Sequence, residues 1–394
     1  MKVAVIGCGI GGMAAATALA RAHHDVTIFE RFETAQPLGA GLLLQPSGLE
    51  ALDQLGLRDA IEHRGAPIDS LYGTSPDGKP ILDLRYAHGR KGDQGIGIHR
   101  ASLFETLYQA ARSSGVNIRT AAEVVTIADW QAPRLGFANG ETSAPFDLVI
   151  VADGAQSALR EQICPGARAP VYPWGAVWAV RPDRTGQWTA ARNLAQVYDG
   201  CRIMIGVLPV GRDPGDPDGP DAVSFFWSLR RREFANWKAG GLVSFKGAVE
   251  QAWPEAAELF DGVAHLDTFT PAIYRDVRCP SWRRGNVVMI GDAAHGTSPQ
   301  LGQGANLALG DAIALASVLD TRHSQVVALA IFESDRKKVA RFYVWMSWAL
   351  TPVFQSGSRV LGILRDAVFG QLCRLPLIRN FMSWTLVGRA KWFW

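Results

Sequence analysis

The sequence predicts a mixed α/β chain in three parts: a parallel-sheet domain, a mainly antiparallel sheet domain and a C-terminal helical segment. Three observations predict it. The chain opens on strand, glycine-rich turn, helix and strand. Two later apolar runs, 146–152 and 286–290, read as buried strands that each end in a short acidic turn. Between them lies a stretch of short alternating segments, and after Arg341 the composition turns aromatic and basic.

The elements follow in order. Residues 2–6 are a short apolar strand, 11–22 an alanine-rich helix and 25–30 a second strand. This is a βαβ unit, whose parallel strands require a right-handed crossover. The apolar start thus reads as a strand entering a glycine turn and not as a leader peptide. Residues 47–57 read as a helix. Segments 71–74 and 81–84 flank Ser75-Pro76-Asp77-Gly78-Lys79-Pro80, a hairpin turn. Residues 100–114 have helical apolar spacing. From 171 to 270 short strands such as 202–209 and 222–229 predict a second sheet, with a Pro/Gly/Asp loop at 211–220. Residues 304–319 return to a long helix.

The opening turn, Gly7-Cys8-Gly9-Ile10-Gly11-Gly12, carries the first chemical signal. In a GxGxxG between strand and helix, the first glycine makes the tight turn. The second lets backbone approach a pyrophosphate, and the third lets helix and strand pack closely. The helix N-terminus then offers free N–H groups to phosphate oxygens. Glu30 closes the second strand, where a carboxylate accepts hydrogen bonds from ribose hydroxyls. The unit is a Rossmann-type dinucleotide-binding fold. Asp153-Gly154 and Gly291-Asp292 follow the two later strands, and acids at strand C-termini face the ligand side of such sheets. The second turn runs on through 293–306, whose glycines permit close backbone approach to a flat ring.

Composition narrows the function. A charged fraction of 20% and net charge of +3 exclude bulk disorder and whole-chain electrostatic binding of nucleic acid. Cys8, Cys164, Cys201, Cys279 and Cys373 are odd in number and far apart, which excludes CxxC pairs and zinc knuckles and suits a cytoplasmic location. No metal site is expected.

Taken together, GCGIGG with Glu30, the stretch 39–57, Ile98-His99-Arg100, DGAQSALR (153–160) and GDAAHGTSPQLGQGAN (291–306) resemble the single-component FAD-dependent aromatic hydroxylases of the p-hydroxybenzoate hydroxylase fold. These pieces span residues 1–320 in family order. The resemblance implies an FAD-binding domain built from 1–70, 98–170 and 271–340, a substrate domain from 71–97 and 171–270, and a helical segment 341–394. It implies that Gly7, Gly9 and Gly12 lie at the pyrophosphate and Glu30 on the ribose, with Arg31 beside it. Arg100 would contact the phosphate or ribityl region, and Asp153 would belong to a motif linked to both FAD and NAD(P)H. Asp292 would bind the ribityl chain, and Pro299 would stand near the isoalloxazine face. Gly302, Gly304, Ala305 and Asn306 would run along the flavin's pyrimidine edge, with Gln45 approaching the flavin. His295 lies beside the ring, as an acid/base candidate or as a packing residue.

The implied reaction is reduction of FAD by NAD(P)H, formation of a C4a-hydroperoxyflavin from O2, and transfer of one oxygen to an aromatic or other hydrophobic small molecule. Buried surroundings are needed because exposed hydroperoxyflavin decays to peroxide. Phe225 and Trp227 share one face of 222–229, with Phe226 on the other. Phe225, Trp227, Tyr72 and Tyr198 are candidate substrate contacts, or simple core. No cluster of cations marks a carboxylate-bearing substrate, so the expected ring is neutral. Alternatives are an FAD-dependent reductase of an isoprenoid-like lipid and a non-catalytic FAD-binding protein. A halogenase would need W-x-W-x-I-P, whereas Trp174-Gly175-Ala176-Val177-Trp178 has the wrong spacing.

The tail from Arg341 holds seven basic residues and one acid, Asp366, together with Trp345, Trp348, Trp384, Trp392 and Trp394. Val360, Leu361, Leu364, Ala367, Val368 and Leu372 recur at helical spacing. This stripe either packs on the domains or a second subunit, giving a monomer or homodimer, or makes peripheral membrane contact, favoured by Lys391-Trp392-Phe393-Trp394.

Overall fold

Leu148–Val151 has no exposed residue, and it lies beside Lys2–Ile6 at the centre of a six-stranded sheet. The structure, a computed structural model, describes residues 1–36, 40–321, 323–373 and 375–391. The sheet order is Arg283–Arg284, Val287–Met289, Leu148–Val151, Lys2–Ile6, Asp25–Phe29 and Asn117–Arg119. All neighbours are parallel except the first pair. Both faces are covered, which explains the unbroken apolar runs. Helices Ile10–Arg21, Arg100–Ser113 and Gly304–Leu319 pack together on one side. On the other, the hairpin of Val124–Ala128 and Arg134–Phe137 sets Phe137 5.4 Å from the Phe29 ring.

A second, seven-stranded sheet runs Thr270–Arg275, Val171–Pro182, Asp221–Arg230, Ile203–Arg212, Asn193–Asp199, Ser70–Thr74 and Pro80–Arg85. Its pairs are antiparallel except Asn193–Asp199 with Ser70–Thr74. The small sheet of Gly41–Leu44, Gly95–His99 and Ala66–Ile68 joins the two large ones. Gly97 makes that contact possible, because a Cβ there would come 1.9 Å from the Pro209 carbonyl oxygen.

Three segments differ from expectation. The helix read over 47–57 is Pro46–Gln54, followed by a separate turn of helix, Arg58–Arg64. Within the stretch read as short strands, Phe234–Ala252 is helical, broken in direction at Gly241 (φ 72°). It covers the far face of the seven-stranded sheet through Phe245 and Val249. The third difference is in the tail, where Gln325–Phe354, Arg359–Leu372 and Pro376–Leu386 form three packed helices. In Arg359–Leu372 the buried positions are Gly362 and Arg365, and the apolar stripe Val360, Leu361, Leu364, Ala367, Val368 and Leu372 points outward. Glycines at 362 and 370 let the backbone come close, and Arg365 is buried between them. A Cβ on Gly362 would meet Gly200, and one on Gly370 would meet the Pro80 carbonyl. The helix thereby covers the edge strand Pro80–Arg85. Gly39 of the 39–57 stretch, Arg374 and Trp392-Phe393-Trp394 lie outside the described residues.

Candidate active site

The glycine turn is tight by necessity. Gly7 has φ 103°, and a Cβ on it would lie 2.6 Å from the Ala152 carbonyl oxygen. A Cβ on Gly12 would lie 2.1 Å from the Gly7 carbonyl oxygen. Around Gly9 nothing stands within 4 Å of the corresponding position. The turn is thus closed toward the sheet and open toward the cleft. No side chain caps the helix Ile10–Arg21, so its first N–H groups face that opening.

Glu30 is buried at the end of Asp25–Phe29. Its carboxylate accepts from the Cys8 N–H at 2.8 Å and the Phe32 N–H at 3.1 Å, which fixes its orientation and leaves lone pairs for a hydroxyl donor. Arg31 is exposed, its guanidinium 4.6 Å from the Phe32 ring. Asp153 follows Leu148–Val151, and its Oδ1 is buried without a partner. Burial pushes this carboxyl up to about 6, opposed by nearby Ser157 and Arg160.

Arg160 ties the two acidic turns together, and the sequence reading gave it no role. Its Nε donates to the Ala293 carbonyl at 2.7 Å, and its Nη2 to the Gly154, Ala155 and Asp292 carbonyls at 3.0 to 3.4 Å. Its place at the end of DGAQSALR was visible, but its backbone partners were not. Asp292 itself is exposed, with Oδ1 3.8 Å from where a Gly304 Cβ would stand. Arg100 opens its helix beside Asp292 and Tyr274. Surrounding protein lowers the guanidinium's proton affinity, opposed by those two neighbours. Its side chain remains accessible to water, as on the floor of an open cleft.

Pro299–Leu301 is a single tight turn, Gly302 is left-handed (φ 61°), and no side chain caps Gly304–Leu319. Nothing lies within 4 Å of a Cβ position on Gly302. Asn306 acts by stitching. Its Oδ1 accepts from the Gln45 N–H at 2.9 Å, and its Nδ2 donates to the Gly302 and Leu43 carbonyls. Gln45 is fully buried, accepts from the Tyr86 hydroxyl at 2.5 Å and leaves its Nε2 without a partner. An FAD fits these residues. The glycine cradle admits a pyrophosphate, Glu30 is set for a ribose, and the open Gly302 turn with free helix N–H groups suits a flat ring edge.

His295 is held in a buried network. It is buried against Trp282, ring centroids 5.0 Å apart, and its Nε2 meets Asp311 Oδ2 at 2.6 Å. Arg336 Nε donates to Asp311 Oδ1 at 2.6 Å, and the Gly291 N–H to Oδ2. Burial alone would raise the Asp311 carboxyl, but His295 and Arg336 outweigh it and hold it down at about 2.

The substrate candidates are also corrected. Phe225 and Trp227 lie on the far face of the sheet, packed with Phe245, Phe260 and Phe269 under the helix Phe234–Ala252. Tyr198 is buried, donating to Gln196 Oε1 at 2.9 Å, with its ring between Phe354 and Arg365. Tyr72 is exposed on its strand. The near face instead carries Phe226, 4.9 Å from the Trp178 ring, over Gly206. Trp178 Nε1 donates to the Tyr274 hydroxyl at 3.1 Å, which brings this pair beside Arg100. On the same strand the Tyr172 hydroxyl contacts Thr351 and Gln355 and lies close to Ser298 and Gln300. Trp178, Phe226 and Tyr274 thus gather beside Arg100, and Tyr172 lies beside the Pro299 turn. Alternation along 222–229 marked the two faces, but nothing local told which one met the cleft.

Comparison with known proteins gives the family of the chain. Residues 1–344 match the family described as FAD binding domain. A probable 2-heptyl-3-hydroxy-4(1H)-quinolone synthase of Rhodococcus erythropolis is 30% identical over 344 residues, 84% of this chain and 82% of that protein. A 6-hydroxynicotinate 3-monooxygenase of Bordetella bronchiseptica is 28% identical over 356 residues, 86% of this chain and 88% of the relative. In fold, the chain is similar to Klebsiella pneumoniae HpxO solved with FAD and uric acid, with TM-score 0.81, 21% identity and coverage of 98% and 97% of the two chains. The chain belongs to the FAD binding domain family, among the FAD-dependent monooxygenases of the p-hydroxybenzoate hydroxylase type.

Proposed function

We propose that this flavoprotein monooxygenase hydroxylates a neutral, largely apolar aromatic or heteroaromatic molecule, with NAD(P)H and O2 as co-substrates. The observation that carries the substrate class is the aromatic character of Trp178, Phe226 and Tyr274 beside Arg100 and of Tyr172 beside the Pro299 turn. The polar atoms there are hydroxyls, an indole N–H and neutral amides, suited to orienting a ring through a few hydrogen bonds. The relative named for a quinolone supports the same class, and the one named for a hydroxynicotinate, whose ring bears a carboxylate, supports only its heteroaromatic character.

Gly7, Gly9 and Gly12 with the following helix would hold the FAD pyrophosphate, and Glu30 the ribose, with Arg31 at the rim. Arg100 and Asp292 would bind along the phosphate–ribityl region, Asp153 at the turn shared with NAD(P)H. Gly302, Gly304 and Ala305 would meet the ring edge, with Asn306 and Gln45 bracing that loop from behind. Pro299 would stand at the ring face. When bound, FAD supplies hydride acceptance and O2 activation. The chain's own contribution is to hold the substrate ring between these aromatic side chains and the Pro299 turn and to exclude water from it. The assignment of 1–70, 98–170 and 271–340 to the cofactor and of 71–97 and 171–270 to the substrate follows from this division. Dispersed free thiols favour a cytoplasmic setting, as a monomer or homodimer.

The test is a screen of neutral hydroxylated arenes and heteroarenes with both nicotinamide cofactors. The expected result is substrate-stimulated NAD(P)H oxidation with a product heavier by one oxygen drawn from O2. Stimulated oxidation giving a product without added oxygen would favour the reductase reading. Equal oxidation with every compound, ending in peroxide, would overturn the hydroxylase.

A further inference from the structure

The tail helix Arg359–Leu372 is built inside out. Arg365 is 3% exposed, its guanidinium donating to the Gly200 carbonyl and to Asp366, while Ile363 is 69% exposed and Leu364 54%. The neighbouring helices continue the apolar surface. Pro376–Leu386 exposes Leu377 at 86%, and Gln325–Phe354 exposes Trp348 at 68%. The three helices are neighbours, touching through Phe354 with Phe369 and Phe342 with Trp384, so the exposed apolar side chains lie on adjoining helices. Scattered exposed apolar residues are ordinary, but a group of them on adjoining helices marks an interaction surface.

Charge decides what meets it. On Gln325–Phe354, Arg341, Trp345 and Trp348 are exposed at i, i+4 and i+7, one stripe with a cation at its end. Arg359 at the start of the next helix and Lys391 beyond the last are also exposed. The segment from 341 onward has one acid, Asp366, and Arg365 already pairs with it. A second copy laid face to face would bring cations against cations. A surface of anionic headgroups would neutralise them while the apolar side chains and tryptophans enter the headgroup boundary.

We propose that this surface docks the enzyme onto an anionic lipid bilayer surface, peripherally, with Ile363, Leu364, Leu377 and Trp348 inserted and Arg341, Arg359 and Lys391 at the headgroups. Among the described residues no helix is long and apolar enough to cross a membrane, so the contact is with one leaflet.

The experiment is co-sedimentation of the FAD-loaded full chain with vesicles of phosphatidylcholine alone or mixed with phosphatidylglycerol, at low and high salt. Binding to the mixed vesicles is expected, weakened by salt. The combined change Ile363→Ser, Leu364→Ser and Leu377→Ser should lower the partition about tenfold or more. Arg341→Glu with Arg359→Glu should lower it on anionic vesicles only. All five positions are exposed, so flavin content and thermal melting should match the parent and separate lost docking from lost folding. No binding to anionic vesicles at low salt overturns the proposal. So does a dimer in sedimentation velocity that the triple change dissociates, because a second copy would then cover the face.

Discussion

At the scale of single residues, His295 and Asp311 separate bracing from catalysis. Asp311 accepts from His295, Arg336 and the Gly291 N–H, and so anchors the turn that presents Asp292. Folding holds its carboxyl at about 2 against an ordinary 3.8, so the anchor stabilises fully above 3.8 and is lost as pH falls toward 2. Asp311→Asn should flatten the acid side of the stability curve. His295→Ala should cost about 3 kcal/mol or more, because it breaks a buried pair. The pH profile of turnover in the folded fraction should keep its shape, and loss of either its acid or its basic limb would make His295 a base or an acid in turnover. The sequence made Glu30, Asp153 and Asp292 legible, because strand ends and glycines announce them. Arg160 and Tyr86 were not, since their partners are a backbone carbonyl set and a distant amide that no local pattern encodes.

At the scale of elements, the strand Asp221–Arg230 assigns opposite tasks to adjacent residues. Phe225 sits in the packed aromatic cluster, and Phe226 lies against Trp178 on the cleft side. Phe225→Ala should destabilise by about 3–5 kcal/mol. Phe226→Ala should leave the melting temperature closer to the parent and raise KM for the aromatic substrate. The reverse pattern would place the site on the other face. Periodicity gave the alternation in this strand and the stripe in Arg359–Leu372, but it did not give the direction of either. Both faces of the sheet are covered, one by Phe234–Ala252, whose Gly240-Gly241 pair hid it as a helix. In the tail helix, close approach to Gly200 and Pro80 outweighed the burial of leucines.

At the scale of the whole molecule, the C-terminal segment clasps the loop at Gln303 and the start of Pro46–Gln54. Gln303 Nε2 donates to the Leu386 carbonyl, the Ser47 N–H to the Val387 carbonyl, and Arg389 pairs with Glu50 and Asp93. Removing residues 385–394 should therefore lower FAD retention while the glycine cradle stays intact. This is measurable as flavin released on gel filtration, and unchanged retention would show that the loop is set without the clasp. The motifs in 1–320 made the overall architecture legible, whereas this closure joins residues remote in sequence and carries no motif.

The first sheet has a consequence for synthesis. Lys2–Ile6 pairs with Leu148–Val151, which follows it far along the chain, and that strand's outer partner is the still later Val287–Met289. A nascent chain thus carries an apolar half-sheet with an unpaired edge until Val287–Met289 has been made. Completion of this sheet is a non-local event, so the exposed edge rather than any local helix is the part of the folding chain most open to mispairing.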